Sequence, residues 1–138
     1  MQRVTRVSIS IEEGLLEKFD AISLDQGIPT RSEAIKNLIR SALVQKEWEY
    51  GDEIAATITL VYDHHKQGML QKLVDVQHDF NDLVICSQHA HLNHHNCIES
   101  IIVQGNGGQI RAFYKSLAAI KGIKHTVLTT ATTGEEIE

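Results

Sequence analysis

The sequence predicts an α+β chain in two parts, a strand–helix–helix unit over residues 1–50 and a β-α-β-β-α-β unit over residues 51–138. Three observations carry this. Strict apolar/polar alternation at residues 7–11 is followed by two apolar stripes at helical spacing. The pattern then breaks around Trp48 and Asp52, where Gly51 offers a hinge. Beyond the break, four strand-like runs enclose two amphipathic helices.

Val7, Ile9 and Ile11 share one face of the first strand, and Arg6, Ser8 and Ser10 share the other. Ser10-Ile11-Glu12-Glu13 reads as a capping box opening a helix with Leu15, Leu16, Phe19 and Ile22 inside. Gly27 and Pro29 end it. A second box, Thr30-Arg31-Ser32-Glu33, opens a helix whose stripe is Ile35, Leu38, Ile39, Ala42 and Leu43. One strand with no neighbour leaves its backbone groups unpaired, and two short helices bury too little alone. Pairing with an identical chain answers both problems, giving a two-stranded ribbon over four helices. Its outer face would carry Arg6, Ser8 and Ser10, and such a ribbon fits the DNA major groove. The alternative is that this strand joins the C-terminal sheet and Arg6 is merely solvated.

In the second part, residues 54–62 alternate as a strand and 66–80 read as a helix with Met69, Leu70, Leu73, Val74 and Phe80 inside, although Gly68 weakens it. Residues 83–92 and 97–103 are strands joined by a turn at 93–96. A loop is expected at 105–108, a helix at 109–121, a strand at 123–130 and a frayed polar tail at 131–138. That order is the split βαβ, or ferredoxin-like, arrangement.

Composition bounds the function. The 138 residues are 42% hydrophobic and 22% charged, which excludes a disordered chain. No apolar run reaches the roughly 18 residues of a membrane helix, and the N-terminus lacks the apolar core of a secretory signal. Two cysteines make no disulfide framework, so a cytoplasmic protein is expected. The net charge of −5 argues against a generic basic nucleic-acid binder. Residues 1–50 are nearly neutral, with 7 basic and 8 acidic groups.

Histidine is the anomaly. Of 8, five (His78, His89, His91, His94 and His95) fall within twenty residues that also hold Cys97. His89 and His91 lie two apart on a strand, on one face and roughly 7 Å apart. Cys97 opens the next strand and can join them. Cys86 has the opposite parity and is expected in the core with Val84 and Ala90. The fourth donor is open among His78, His94 and His95, although turn histidines are more simply solvated. Imidazole and thiolate suit zinc, copper, iron or nickel, square geometry favouring Ni(II) or Cu(II) and a tetrahedron zinc. Glu99 shares the parity of Cys97 and can orient a metal-bound imidazole. His64 and His65 are expected exposed, and His125 structural.

VSISIEEGLLEKFD with RSEAIKNLIRSAL, followed by TITLVYDHHK, LVDVQHDFNDLVICSQHAHLNHHNCIES and KGIKH, resembles the nickel-responsive regulators (NikR family) over almost the whole chain. H-A-H-x5-C with an upstream Q-H is the specific part. The resemblance implies an N-terminal ribbon-helix-helix DNA-binding domain, a ferredoxin-like (ACT-like) metal-binding domain and a homotetramer built as a dimer of dimers. It implies a square-planar Ni(II) site at the tetramer interface, with His89, His91 and Cys97 from one subunit and His78 from a neighbour. Gln77 and Glu99 match supporting positions. Arg6, Ser8 and Ser10 match the base-reading face, where the family typically has threonine beside the arginine. A secondary cation site would involve Glu33 and Asn37, the second of which can be aspartate in the family. Two further departures are Gln88, where an apolar residue often precedes the first ligand, and Ser100 for a usual valine.

The function implied is repression of nickel-uptake genes when the metal is bound. The alternatives are a metal buffer or an ACT-type small-molecule sensor without operator binding. A zinc hydrolase with Glu99 as base lacks an electrophile stabiliser, so no enzyme is expected.

Overall fold

The computed structural model describes residues 2–51 and 53–137; Asp52, in the expected hinge, lies outside the described residues. Contacts group the chain into two units, Met1–Ser41 and Ala42–Glu138. Helix α2 runs unbroken across that division.

In the first unit, residues 2–12 form no regular element and lead into α1 (Glu13–Asp25). The strand expected at 7–11 is not formed in the single chain, because a strand exists only with a partner to complete its ladder. Val7 and Ile9 are 76% and 61% exposed. The four-stranded sheet of the second unit takes nothing from this segment, which overturns the alternative that the strand joins it. Ser10 does not open α1 either. Glu12 is the cap, its carbonyl accepting from Leu15 and Leu16 at 3.1 and 3.0 Å, without a side-chain cap bond. Ile9, Ser10 and Ile11 instead border a groove with Leu16, Phe19 and Ile35, so residue 11 still belongs to the incoming segment.

The end of α1 follows its sequence. Gly27 takes φ +71°, its N–H donates to the Leu24 carbonyl at 3.0 Å, and the Ile28 N–H reaches the Ser23 carbonyl at 2.9 Å. That paired closure needs the left-handed conformation glycine supplies. Thr30 then caps α2 (Arg31–Tyr50), its Oγ1 accepting from the Glu33 N–H at 3.1 Å. Arg31 grips Asp20 through two hydrogen bonds of 3.0 and 2.8 Å, tying α2 to α1.

The second unit holds β1 (Glu53–Asp63), α3 (Met69–Asp79), β2 (Val84–His91), β3 (Asn96–Asn106), α4 (Gly107–Ala118) and β4 (Ile123–Thr130). The sheet order is β2-β3-β1-β4, and every pair is antiparallel. Ile54, Ala56, Ile58, Leu60 and Tyr62 of β1 are buried in strict alternation. With Ile101 and Val103 of β3 they form the floor of a core roofed by Met69, Leu73, Ile110, Phe113 and Leu117. Among the described residues of this unit, the helices that build the core lie on one face of the sheet only.

Glycines were the main source of misplaced boundaries. Gly68, φ +80°, is the N-cap of α3 and starts that helix. The stretch at 105–108 is no loop: β3 passes directly into α4. Asn106 makes this possible, its Oδ1 accepting from the Gly108 and Gln109 N–H groups at 2.8 and 3.4 Å. Its Nδ2 donates to the Gly51 carbonyl at 2.6 Å. The tail is tied at its root, where the Ala131 N–H reaches the Ala55 carbonyl at 2.9 Å and the Trp48 indole donates to the Ala131 carbonyl at 3.2 Å. Among the described residues, no helix is long and apolar enough to cross a membrane.

Asn106→Ala removes the only side-chain cap of α4 and a bond to Gly51. It should cost about 1 kcal/mol, read as a lower urea midpoint at fixed protein concentration.

Candidate metal centre

The centre is built from strand register. β3 is flanked by β1 and β2, and Cys97 pairs across to Tyr62 on one side and His91 on the other. Two residues on, Glu99 pairs to Leu60 and His89. The two rows place His89, His91, Cys97 and Glu99 on the helix-covered face. Cys97 and Glu99 are buried there, while His89 and His91 stand exposed on the edge strand β2.

Cys97 Sγ lies 3.5 Å from His91 Nδ1, and the rings of His89 and His91 are 5.7 Å apart. A buried thiol facing an imidazole fits a metal that takes sulfur and nitrogen ligands. His64, expected exposed, is half-buried and sits closer still, its Nδ1 3.2 Å from Cys97 Sγ. His64, His91 and Cys97 offer ligand atoms within 4.8 Å of one another. Burial, then the charges of His65 and His91, pushes the His64 pKa down, so its ring is the more readily neutral. Sequence reading missed His64 because its place depends on long-range register: β1 ends opposite Asn96, and the His64 N–H donates to the His95 carbonyl at 3.1 Å.

Glu99 lies beneath the histidine row and is held from both sides. The Tyr62 hydroxyl donates to Oε1 at 2.9 Å and Gln77 Nε2 donates to Oε2 at 2.8 Å. Burial, then the Glu99 charge, raises the Tyr62 pKa and keeps the phenol a donor. Gln77 and His78 lie in the last turns of α3. His78 is exposed, and it is not among the residues gathered around Cys97.

Three expectations change. Cys86 is exposed, not in the core. Cys86 keeps the expected parity, opposite to His89 and His91 and shared with Ala90, but that face is the open one, where it pairs with Ile102; a bulge before it turns Val84 opposite Val103 on the covered face. His95 is not merely a solvated turn residue but groups with Asp63 and His65. Gln88 and Ser100 turn out to be direct cross-strand partners on the open face. The two polar departures therefore meet each other and leave the metal face untouched.

In the first unit, Arg6, Ser8 and Ser10 are exposed. The Glu33 carboxylate pairs with Lys36 at 2.6 Å and Asn37 Oδ1 accepts from Arg40 at 3.5 Å, so both oxygens of the expected cation site face cationic side chains of α2.

Comparison with known proteins decides the family. Residues 55–131 match the NikR C terminal nickel binding domain, and residues 5–46 match ribbon-helix-helix protein, copG family. The chain belongs to the nickel-responsive regulators.

A relative named a putative nickel-responsive regulator in Nitratidesulfovibrio vulgaris is 48% identical, with 99% of both chains covered. Others so named, in Geobacter sulfurreducens and Thermococcus onnurineus, are 45% and 43% identical; 99% and 98% of this chain, and 99% of each relative, are covered. An uncharacterized protein from Thermotoga maritima shares the fold at a TM-score of 0.53 and 12% identity, covering 57% of this chain and 98% of its own. Membership makes the protein a regulator with a DNA-binding ribbon-helix-helix domain and a nickel-binding domain, and not an enzyme.

Glu99→Gln replaces one carboxylate oxygen by an amide that faces a donor, either Tyr62 or Gln77. Nickel affinity should fall about 10- to 100-fold in a competition titration, with the far-ultraviolet circular dichroism unchanged.

Proposed function

We propose that the protein is a nickel-responsive, sequence-specific DNA-binding repressor of nickel-uptake genes. Its Ni(II) ligands are His89, His91 and Cys97 of one subunit and His78 of a neighbouring subunit, in a square plane, with Gln77 and Glu99 in support. The observation that carries the reading is the in-register pairing of His91 with Cys97 and of His89 with Glu99 on an edge strand.

Two features support a site shared between subunits. β2 is exposed along nearly its whole length, and an uncovered edge is a place for another chain. Neighbouring residues of a helix point about 100° apart. As Gln77 turns inward to Glu99, His78 turns away and stays exposed, free to serve another subunit. Ni(II) held between the two would tie the subunits together and bias the assembly toward the DNA-competent arrangement. Linkage then requires that operator DNA tighten nickel binding in return.

Residues 1–50 are assigned to DNA binding and dimerisation and 51–138 to metal binding and tetramerisation, in a dimer of dimers working in the cytoplasm. Exposed Val7 and Ile9, with Leu15, Ile22, Leu38 and Ile39 exposed on the helices, support pairing of this unit with a second copy. The resulting ribbon would lay Arg6, Ser8 and Ser10 in the major groove. Near-neutral charge limits phosphate contacts per chain, so affinity rests on engaging two half-sites at once. Glu33 and Asn37 remain candidates for the secondary cation site.

The compact group His64, His91 and Cys97 favours a second reading, a single-chain site of three donors. Mixing separates the two. Chains carrying His78→Ala and chains carrying His89→Ala should each lack the site, and exchanged tetramers should recover some thiolate-to-nickel absorption. No recovery argues for the single-chain site.

Cys97→Ser should remove the intense thiolate-to-nickel bands that accompany one ion per chain in an anaerobic titration. Arg6→Ala should weaken operator binding, measured by fluorescence anisotropy at fixed salt, and leave nickel uptake intact; loss of both would misplace the ribbon.

A further inference from the structure

We propose that each chain carries a second transition-metal site, made by Asp63, His65 and His95, which shares no donor with the nickel ligands assigned above. One carboxylate oxygen and two imidazole nitrogens there lie within 4.8 Å of one another. Metal–nitrogen and metal–oxygen bonds of about 2.0–2.2 Å put neighbouring donors about 3.0–3.4 Å apart, so the exposed rings must turn inward by about 1–2 Å to close on an ion.

The backbone that carries these donors is fixed before any ion arrives. Asp63 ends β1 opposite Asn96 in the ladder. Its Oδ1 accepts from the His65 N–H at 2.9 Å and lies 3.3 Å from His65 Nδ1. On the facing hairpin, Asn93 Oδ1 accepts from the N–H groups of His95 and Asn96 at 3.0 and 2.9 Å. The His64 N–H donates to the His95 carbonyl at 3.1 Å and locks the two segments together. The His65 and His95 rings stand 5.5 Å apart.

The donor set names the ligand class. Two imidazoles and one carboxylate on one side of an ion, with water in the open positions, suit Ni(II), Co(II) or Zn(II). Without a thiolate the site is weaker and less selective than the Cys97 site. The two are joined through His64, whose backbone bonds to His95 and whose ring contacts Cys97 Sγ at 3.2 Å. Occupancy of the second site therefore stiffens the segment that carries a ring into the first.

The test is Ni(II) binding to the tag-free full chain by equilibrium dialysis with metal analysis, alongside absorption spectra. Two ions per chain are expected, the first with thiolate-to-nickel bands and the second without. Asp63→Asn keeps an oxygen for the His65 N–H and removes the charge; His95→Asn removes an imidazole. Each should weaken the second ion at least about tenfold and leave the bands of the first in place, which also shows the variant folded. His94→Asn, on the same hairpin, should change neither. A single ion per chain, a second ion unaffected by both variants, or equal loss in His94→Asn overturns the proposal. If the wild type shows no thiolate band, the proposed nickel ligands fail, and the loss of an ion in Asp63→Asn and His95→Asn still decides the second site.

Discussion

The register of three antiparallel strands governs the functional half of the molecule. Side chains alternate with a period of two, so a slip of one residue between β2 and β3 would send His89 and His91 to the face opposite Cys97. The buried run from Ile54 to Tyr62 prevents this for β1, because only one parity closes the core over Phe113 and Leu117. β3 inherits its register from β1 through Tyr62 and Cys97, and β2 inherits it from β3. The proposed metal ligands are thus positioned by apolar packing up to two strands away. The bulge between Val84 and Cys86 absorbs the mismatch at the far end of β2, leaving the ladder from Cys86 to His91 regular.

Within that frame, Glu99 is the exception to an apolar floor. A buried carboxylate is tolerated only when its oxygens are hydrogen-bonded. Tyr62 from β1 and Gln77 from α3 supply one bond each. The polar network therefore fastens the last turns of α3 to the sheet, where apolar contact alone would permit sliding. The direction of His78 follows from that bond. Glu99 also bears on the histidine row, since its cross-strand partner is His89.

Much of this was legible in the sequence because it is local. The period-two alternation of 54–62, the helix stripe of Ile110, Phe113 and Leu117, the Thr30 cap and the Gly27 stop all depend on near neighbours, and the last strand was placed at 123–130 as found. The shared face of His89, His91 and Cys97 was legible for the same reason, a short hairpin with fixed parity. What escaped is non-local or conformational. Gly68 and Gly107 look like interruptions in a one-dimensional pattern, yet they sit at helix starts. The bulge between Val84 and Cys86 changes the parity of Val84 without leaving a sequence signature, and parity alone does not say which face of β2 is covered. His64 and the Asp63–His65–His95 group arise only when the end of β1 meets the β2–β3 turn. The strand at 7–11 belongs to another category, because among the described residues no strand of the same chain pairs with it.

The division of the ligands between strands has an energetic logic. Cys97 lies on β3, flanked on both sides and buried, where a thiol packs as a small apolar group. The histidines lie on the outer strand, where they stay exposed and hydrated and carry no burial cost. The fold thus keeps one donor rigid and leaves the others adjustable. On the proposed assignment, assembling the full set would order an edge instead of repacking a core, and the free energy of metal binding would go into fixing that edge against its neighbours.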